Sequence, residues 1–249
     1  MNLAPPNLPG GRPIAGADRA LLILCDHASN ALPPGLDLGV PPSLLEDHVA
    51  LDIGAGPLAT ALAARLGAPA LLGAWSRLVV DCNRAPGAPG LVPEASDGHP
   101  IPGNIGLDPE AFAARLALHA DFHARAAALV AAHGPGLLVS VHSFTPRLAT
   151  GGAPRPWPVA VLWNRDDRGA APALAALRAD PRVDGPVGAN EPYSGRILNY
   201  SMDRHAEANG IAYVGFEVRQ DGLADEAGVA RWAAILADCV SAVRRALDA

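Results

Sequence analysis

Aromatic side chains and positive charge are both scarce in this sequence. Phe, Trp and Tyr make up only 4% of its 249 residues, so Ala, Leu and Val have to fill the interior. Lys and Arg number 19 against 25 Asp and Glu, which gives a formal net charge of −6. This balance offers no general basic surface for a phosphate backbone, and we expect no nucleic-acid partner.

Long hydrophobic runs are missing as well. No segment approaches the roughly 18 uninterrupted apolar residues of a membrane span, and the first residues lack the basic flank and apolar stretch of a signal peptide. We therefore expect a soluble, cytoplasmic protein with no membrane partner, and no protein partner is evident. Cys25, Cys82 and Cys239 each lie in or beside an apolar run, which predicts buried free thiols rather than disulfides.

The composition that is present, 50% hydrophobic and 18% charged, suits one domain over residues 1–249, with 1–18 as an extended N-terminal segment. Short aliphatic runs alternate with longer Ala/Leu stretches of helical period. This pattern predicts an α/β fold, a three-layer sandwich with a mixed, mostly parallel sheet between helices. We expect strands at 20–25, 70–73, 75–82, 137–141, 159–163 and 211–218. Helices are expected at 43–66, 108–133, 170–179, from 195 to 209 and at 225–247, and 85–106 should be a long loop.

Polar side chains of catalytic type stand at the ends of three predicted strands. They are His27 after the first strand, His142 after the fourth and Glu217 near the end of the last. If the strands are parallel, these ends meet at the carboxyl edge of the sheet, where ligand sites of open α/β sheets collect. Two imidazoles and a carboxylate would then converge, and His27 and His142 are candidate metal ligands.

A divalent hydrolytic metal needs about three protein ligands, and the third is left open. Asn30 stands three residues after His27, and Asp52 stands four residues after His48, which places the latter pair on one face of the predicted helix. A carboxylate is a better zinc ligand than a neutral amide, which favours Asp52, or a water-bridged arrangement, over Asn30. The alternatives are an ion pair of His48 with Asp52 on a solvated helix face, and a substrate-side role for His48.

The segment 76–84 contains a second group of candidate functional residues. Arg77 and Arg84 flank Asp81 and Asn83. An arginine that binds a carboxylate with two parallel hydrogen bonds, next to an asparagine amide, suits recognition of a carboxylated substrate. Asp81 could hold the arginine in place, and the alternative is a plain salt bridge at a strand end.

Other polar residues are weaker candidates. The motif Asn-Glu-Pro-Tyr-Ser-Gly around Tyr193 either binds an anionic group, with Tyr193 donating to an oxyanion, or is a plain turn and cap. Arg196 and Arg219 are further candidates for substrate contact. His119 and His123 are spaced i, i+4, and we expect them on the solvated face of their helix.

In these motifs the sequence resembles the N-formylglutamate amidohydrolase family, from about residue 21 to 246. The matching segments are 25–30, 46–55, 76–84, 141–144, 190–195 and 216–221. Several separate motifs in order are far more specific than any single one. The resemblance implies a fold similar to that of zinc carboxypeptidases and aspartoacylases, of the phosphorylase/hydrolase type, with one zinc ion.

The resemblance also implies roles for individual residues. His27 and His142 correspond to zinc ligands of the family, and Glu217 corresponds to its general base. Asn83 and Arg84 correspond to the pair that binds the substrate carboxylate. Where carboxypeptidases and aspartoacylases place a glutamate three residues after the first ligand histidine, this sequence has Asn30. The third ligand therefore stays open between Asp52, Asn30 and another group.

Taken together, the sequence predicts a zinc-dependent amidohydrolase that cleaves the formyl or acyl amide bond of a small N-acyl amino acid such as N-formylglutamate. Zinc would be the cofactor and a small carboxylated molecule the partner. The particular motif variants resemble a branch whose substrate need not be formylglutamate. Two alternatives are a metal-free ligand-binding or sensor module on the same fold, and a carboxypeptidase acting on peptides.

Overall fold

The computed structural model describes residues 8–249 and contains a seven-stranded sheet with helices on both faces. The strands are β1 (Gly11–Ile14), β2 (Leu21–Cys25), β3 (Ala70–Gly73), β4 (Ala95–Ser96), β5 (His99–Pro100), β6 (Leu137–Phe144), β7 (Val159–Leu162), β8 (Val187–Ala189) and β9 (Ala212–Arg219). The α-helices are α1 (Pro42–Leu45), α2 (Ala55–Leu66), α3 (Pro109–His133), α4 (Ala170–Ala179), α5 (Tyr200–His205) and α6 (Glu226–Leu247). Short 3₁₀ turns follow β5, α5 and β9.

The strand order of the large sheet is β1-β3-β2-β6-β9-β7-β8. Neighbouring strands are parallel except at β1–β3 and β7–β9, while β4 and β5 form a separate small hairpin. The predicted mixed, mostly parallel sheet is therefore confirmed. Because β2, β6 and β9 are parallel neighbours, their carboxyl ends lie side by side at one edge.

Two apolar layers enclose the sheet. Residues of α2, α4 and α6 pack on one face, in the larger core cluster, and residues of α3 and α5 pack on the other. The central strands β2, β6 and β9 are buried on both faces, which explains why they read as continuous aliphatic runs instead of alternating ones. The three-layer prediction is confirmed.

Helix α3 begins and ends where its sequence predicts. The Asp108 side chain accepts a hydrogen bond from the Ala111 amide at 2.7 Å, and Pro109 occupies the first turn, where no amide hydrogen is needed. Gly134 ends the helix with a φ of 58°, a left-handed conformation that glycine adopts without steric cost. The predicted helix 170–179 is likewise found as α4.

The predicted helix 43–66 is wrong in its first half. Its residues form the single turn α1 and then an irregular segment before α2 begins after Gly54, whose φ is 79°. Glu46 accepts a hydrogen bond from Asn30 instead of completing a capping box. Consequently His48 and Asp52 do not share a helix face. The segment is held by contacts distant in sequence, such as the Asp52 amide donating to the His27 carbonyl at 3.0 Å.

The predicted strand 75–82 is also absent from the sheet, and the structure has turns there. Leu78, Val79 and Val80 are buried, but they pack in two small clusters beneath the loops, where no strand lies beside them. The Ser76 hydroxyl accepts from Leu78 and donates to the Ala50 carbonyl, which closes a turn. A short apolar run in a sequence is compatible with a buried loop as well as with a buried strand, which is why the prediction of a strand failed here.

Four strands were not expected: the short hairpin of β4 and β5, which lies within the expected loop 85–106, and two edge strands of the large sheet. Gly11–Ile14 forms β1 at the sheet edge although it contains Pro13, an arrangement that an edge strand tolerates because one side needs no ladder hydrogen bonds. This strand lies inside the expected N-terminal segment 1–18, of which 1–7 fall outside the described residues. Val187–Ala189 forms β8 at the opposite edge. Within 8–249, no helix has the length and apolar character needed to cross a bilayer.

Candidate active site

Strands β6 and β9 place His142 beside Glu217. The two residues are direct partners in the parallel ladder, and both are buried. His27 follows the end of β2, the neighbour of β6 on its other side. The rings of His27 and His142 lie 5.2 Å apart between centroids, so the predicted convergence at the carboxyl edge of the sheet is found.

Asp52 lies between the two imidazoles. Its Oδ2 is 2.8 Å from Nδ1 of His142 and 3.4 Å from Nδ1 of His27. One ligand atom from each of these three buried residues lies within 4.8 Å of the others. The Ser143 hydroxyl donates to the Ile53 carbonyl at 2.7 Å, which ties the irregular segment carrying Asp52 to the end of β6.

Asp81 contacts His27 from the opposite side. Its Oδ1 accepts a hydrogen bond from Nε2 of His27 at 2.7 Å, which turns Nδ1 of the ring toward Asp52. Arg77 bridges the two acids, with contacts of 3.3 Å to Asp52 Oδ1 and 2.9 Å to Asp81 Oδ2. The sequence indicated that Asp81 holds an arginine, but gave no sign that it also orients a histidine.

The carboxylates make this site favourable for positive charge. Burial and the nearby Arg77 lower the pKa of His27, but Asp81 and Asp52 outweigh them and raise that pKa to about 10. Burial also opposes protonation of His142, yet the hydrogen bond and charge of Asp52 hold its pKa above the ordinary value. Burial would raise the pKa of Asp52, but His27 and His142 keep it well below its usual range.

Two further buried carboxyl groups, those of Glu217 and Asp26, lack hydrogen-bond partners for one or both oxygens. Oε2 of Glu217 has no hydrogen-bond partner, and burial raises the pKa of this carboxyl to about 7. Neither oxygen of Asp26 makes a hydrogen bond of ordinary geometry. Burial raises the pKa of Asp26 despite the opposing influence of His142, His27 and the Ser201 hydroxyl.

The donor set fits a divalent metal. Two imidazole nitrogens and one carboxylate oxygen are the ligand types that zinc accepts in hydrolytic sites, where a further position stays open. Orientation of a ligand histidine by a carboxylate, as Asp81 does for His27, is the usual outer arrangement of such sites. Asp26 and Glu217 add buried carboxyls that lack full hydrogen bonding, and a dication would offset their charge.

A cavity of about 300 Å³ opens above this cluster. Many of the predicted substrate residues line it, namely Arg77, Asn83, Arg84, His48 and Tyr193, together with Glu217 and the three cluster residues. Asn83 is fixed by two bonds: its amide donates to Asp81 Oδ1 at 2.9 Å, and its side-chain oxygen accepts from the Ser201 amide at 3.1 Å. The predicted carboxylate clamp thus faces the same space as the histidines.

Three predicted substrate residues lie elsewhere. Asn30 donates to Glu46 at 3.0 Å, and Arg196 is exposed, and neither lines the cavity. Arg219 pairs with Asp221 at 2.8 Å and borders a separate, smaller depression. The structure therefore does not bring these residues to the cluster.

The prediction of a solvated face for His119 and His123 is wrong. Both are buried, and each donates from Nε2 to a backbone carbonyl of the segment that carries the clamp, His119 to Arg84 and His123 to Cys82, both at 2.9 Å. Nδ1 of His123 then accepts from Nε2 of His205, at 2.9 Å. The side of α3 that carries these two histidines is therefore buried, which their i, i+4 spacing did not reveal.

Asp97 is a cavity residue that sequence reasoning missed. It accepts hydrogen bonds from the amides of Ala149 and Thr150 at 2.7 and 3.0 Å and from the Thr150 hydroxyl, and it contacts Nε2 of His48 at 3.1 Å. Burial would raise the pKa of Asp97, but these bonds hold it at about 2. The only local signal is an Asp-Gly turn, which says nothing about the cavity.

Comparison with known proteins identifies the family of this chain. The family model of N-formylglutamate amidohydrolase matches residues 19–224. A gene product of Agrobacterium tumefaciens, known from its crystal structure, is 31% identical with a TM-score of 0.86, and the alignment covers 96% of this chain and 95% of that one. A search of curated proteins finds no match.

A second solved structure is similar in fold. It is an N-formylglutamate amidohydrolase from Ralstonia eutropha, 17% identical with a TM-score of 0.68, and the alignment covers 96% of this chain and 97% of that one. At this identity the likeness shows the fold alone. With a family match that spans most of its length and a buried His-Asp-His cluster at the sheet edge, the chain belongs to the N-formylglutamate amidohydrolase family, whose members are amide hydrolases.

Proposed function

We propose that this protein is a zinc-dependent amidohydrolase that cleaves the acyl–nitrogen bond of small N-acyl amino acids. The observation that carries the proposal is the placement of His27, Asp52 and His142 within 4.8 Å of one another, at the base of a cavity that also holds Glu217 and Arg84. His27, His142 and Asp52 are the proposed zinc ligands. Asn30, the other candidate, is bonded to Glu46 outside the cavity.

Substrate binding falls to the segment after Asp81. Arg84 and Asn83 both line the cavity, and a guanidinium beside an amide suits the α-carboxylate of an amino acid. Tyr193 lines the same cavity and is proposed as a donor to the acyl oxygen. Holding the substrate at both ends orients the amide toward the cluster.

The proposed proton carrier is Glu217. Zinc, when bound in such a site, supplies a Lewis acid that activates water and polarises a carbonyl. Glu217 removes a proton from the attacking water as its oxygen bonds to the acyl carbon, and then delivers that proton to the nitrogen as the C–N bond breaks. The products are a carboxylic acid and a free amino acid. The unpartnered Oε2 of Glu217 supports this role because it is not committed to another group.

Metal content and turnover of N-acyl amino acids test the proposal. The zinc-loaded protein is expected to contain one zinc per chain and to release free amino acid. Glu217→Gln should keep the zinc but reduce kcat by at least about 100-fold, the usual contribution of a general base. His142→Ala should lose zinc, and Arg84→Ala should mainly raise KM.

Glu110→Gln is the matched control for Glu217→Gln, because Glu110 is exposed at the start of α3. It should leave both zinc content and kcat unchanged. Retained turnover in Glu217→Gln would refute the assignment of the base. A chain that takes up no zinc and cleaves no N-acyl amino acid would instead be a ligand-binding module, and one that cleaves only peptides would be a carboxypeptidase.

A further inference from the structure

The cavity above the cluster contains few positive groups. Among its lining residues in the range 8–249, Arg77 and Arg84 are the only side chains with a permanent positive charge. The sequence contains no lysine, and residues 1–7 contain no arginine, so no further permanent side-chain cation exists outside the described range. A third arginine, Arg155, does not itself line the cavity: its guanidinium lies 4.9 Å from the ring centre of Tyr193 and donates to the Thr145 carbonyl at 3.0 Å. The number of substrate carboxylates that the cavity can bind therefore follows from what Arg77 and Arg84 already contact.

Arg77 is already occupied by the protein. Its two terminal nitrogens contact Asp52 Oδ1 at 3.3 Å and Asp81 Oδ2 at 2.9 Å, and both acids are buried. A guanidinium that neutralises two buried carboxylates has little attraction left for a third. Arg77 therefore belongs to the structure of the cluster and does not serve as a substrate anchor.

Arg84 is free by comparison. Its nearest acid is Asp81, at 3.7 Å from Nε, and in the described part of the chain its guanidinium makes no side-chain hydrogen bond. It lies next to Asn83, which also faces the cavity. Arg84 can accept one carboxylate in the bidentate geometry that arginine favours.

His48 does not supply a second anchor. Its Nδ1 contacts Asp47, and its Nε2 lies 3.1 Å from Asp97 Oδ2, so both ring nitrogens are used. Asp97 is in turn held by Ala149 and Thr150. The pair cannot turn toward a substrate carboxylate without breaking these contacts.

The rest of the lining is acidic, neutral polar or apolar. Four carboxyl groups face the cavity, those of Asp52, Asp81, Asp97 and Glu217. Its apolar side chains include Val49, Phe144, Leu148, Leu162 and Leu198. A second carboxylate on the substrate would meet these four acids, and no side-chain cation of the described lining would remain to offset its desolvation.

We propose that the substrate is an N-acyl α-amino acid with a single carboxylate and an uncharged side chain. Arg84 and Asn83 bind the α-carboxylate, and the side chain contacts the uncharged residues of the lining. This inference rests on the proposed function and narrows it, because it excludes glutamate and other acidic amino acids as the preferred amino-acid part of the substrate.

The test compares substrates that differ in charge but not in shape. N-formylglutamine and N-formylglutamate are nearly isosteric, and N-formylleucine adds an apolar side chain. For the zinc-loaded protein, kcat/KM for N-formylglutamine should exceed that for N-formylglutamate by at least about 10-fold, since an uncompensated like-charge contact is costly. N-formylleucine, which is also uncharged in its side chain, should likewise exceed N-formylglutamate.

A variant with an added cation sharpens the test. Leu198→Arg places a guanidinium in the lining and should reduce the preference for glutamine over glutamate by about 5-fold or more. Leu198→Met is the matched control, since it changes the shape of the side chain without adding charge, and it should leave the ratio unchanged. A ratio that responds equally to both variants would contradict the charge argument.

Binding separates this inference from the proposed function. The three compounds are titrated into zinc-loaded Glu217→Gln by calorimetry, where the same order of affinity is expected. If nothing is hydrolysed but the order holds, amide hydrolysis is wrong and the ligand class stands. If N-formylglutamate is bound or cleaved as well as N-formylglutamine, the inference is overturned while hydrolysis stands. If none of the three binds at millimolar concentration, both are overturned.

Discussion

Asp81 contacts more residues of the candidate site than its place in the sequence indicates. It contacts His27 at 2.7 Å, contacts Arg77 at 2.9 Å and accepts the Asn83 amide at 2.9 Å. One buried carboxylate therefore fixes a proposed metal ligand and the start of the proposed carboxylate clamp. Neither link is visible in a sequence where Asp81 stands 54 positions from His27.

Replacing Asp81 by asparagine should weaken zinc binding. The amide oxygen can still accept a hydrogen bond from His27, but it carries no charge to strengthen the ligand, and loss of such a partner usually lowers metal affinity by about 10- to 100-fold. Competition with a chelator of known affinity measures the change. Asp121→Asn, at the surface pair with Arg125, is the control and should bind zinc as the unmodified protein does. Equal affinity in Asp81→Asn would show that the contact does not tune the ligand.

Helix α3 illustrates what matters at the scale of an element. Its caps and length follow from Asp108, Pro109 and Gly134, but the face it buries carries the polar residues His119 and His123. These rings satisfy backbone carbonyls of the irregular segment after β3, which has no ladder of its own. Buried polar groups need partners, and here they hold a loop beside the candidate site.

The histidine pair between α3 and α5 should make stability depend on pH. Burial, with smaller repulsion from neighbouring rings, lowers the pKa of His123 to about 3, and burial with the nearby Arg204 lowers the pKa of His205 to about 4. Below about pH 6.5 the unfolded chain binds protons that the folded chain refuses. The contribution of each ring to the free energy of unfolding should therefore fall between pH 6.5 and 4, by up to about 1.4 kcal/mol per pH unit.

Urea denaturation at several pH values measures this slope. His205→Gln removes one of the two rings and should make the dependence shallower, even if stability at pH 7 also changes. His99→Gln is the control, since His99 lies in the small β4–β5 hairpin outside this network, and it should leave the slope as it was. Identical slopes in all three proteins would mean that the buried pair does not control the acid sensitivity.

At the scale of the whole molecule, the aliphatic core sequesters every thiol. Cys25, Cys82 and Cys239 are free and buried, as the sequence predicted. Burial, followed by nearby acids, raises the pKa of each thiol, and only the thiolate reacts with disulfide reagents. The folded protein should therefore react slowly, and all three thiols should react in denaturant.

Ellman's reagent counts the accessible thiols. Ala64→Cys, at an exposed position of α2, supplies a positive control that should react at once in the folded state. The three native cysteines should be labelled only at the rate of unfolding. Rapid labelling of a native cysteine would indicate that its side of the core opens locally.

The sequence by itself determined the layers and the strands that end in His27, His142 and Glu217. Local patterns sufficed because continuous aliphatic runs and capped amphipathic helices depend on neighbours along the chain. The tertiary structure alone decided that Asp52, and not Asn30, lies beside the two histidines. It also decided that Arg77 forms close ion pairs with two buried acids, whereas Arg84 lies 3.7 Å from its nearest acid. Those outcomes depend on the order of the strands in the sheet and on the path of the irregular segment that carries Asp52. Contacts between residues far apart in the chain set them, and no local pattern records which partners meet.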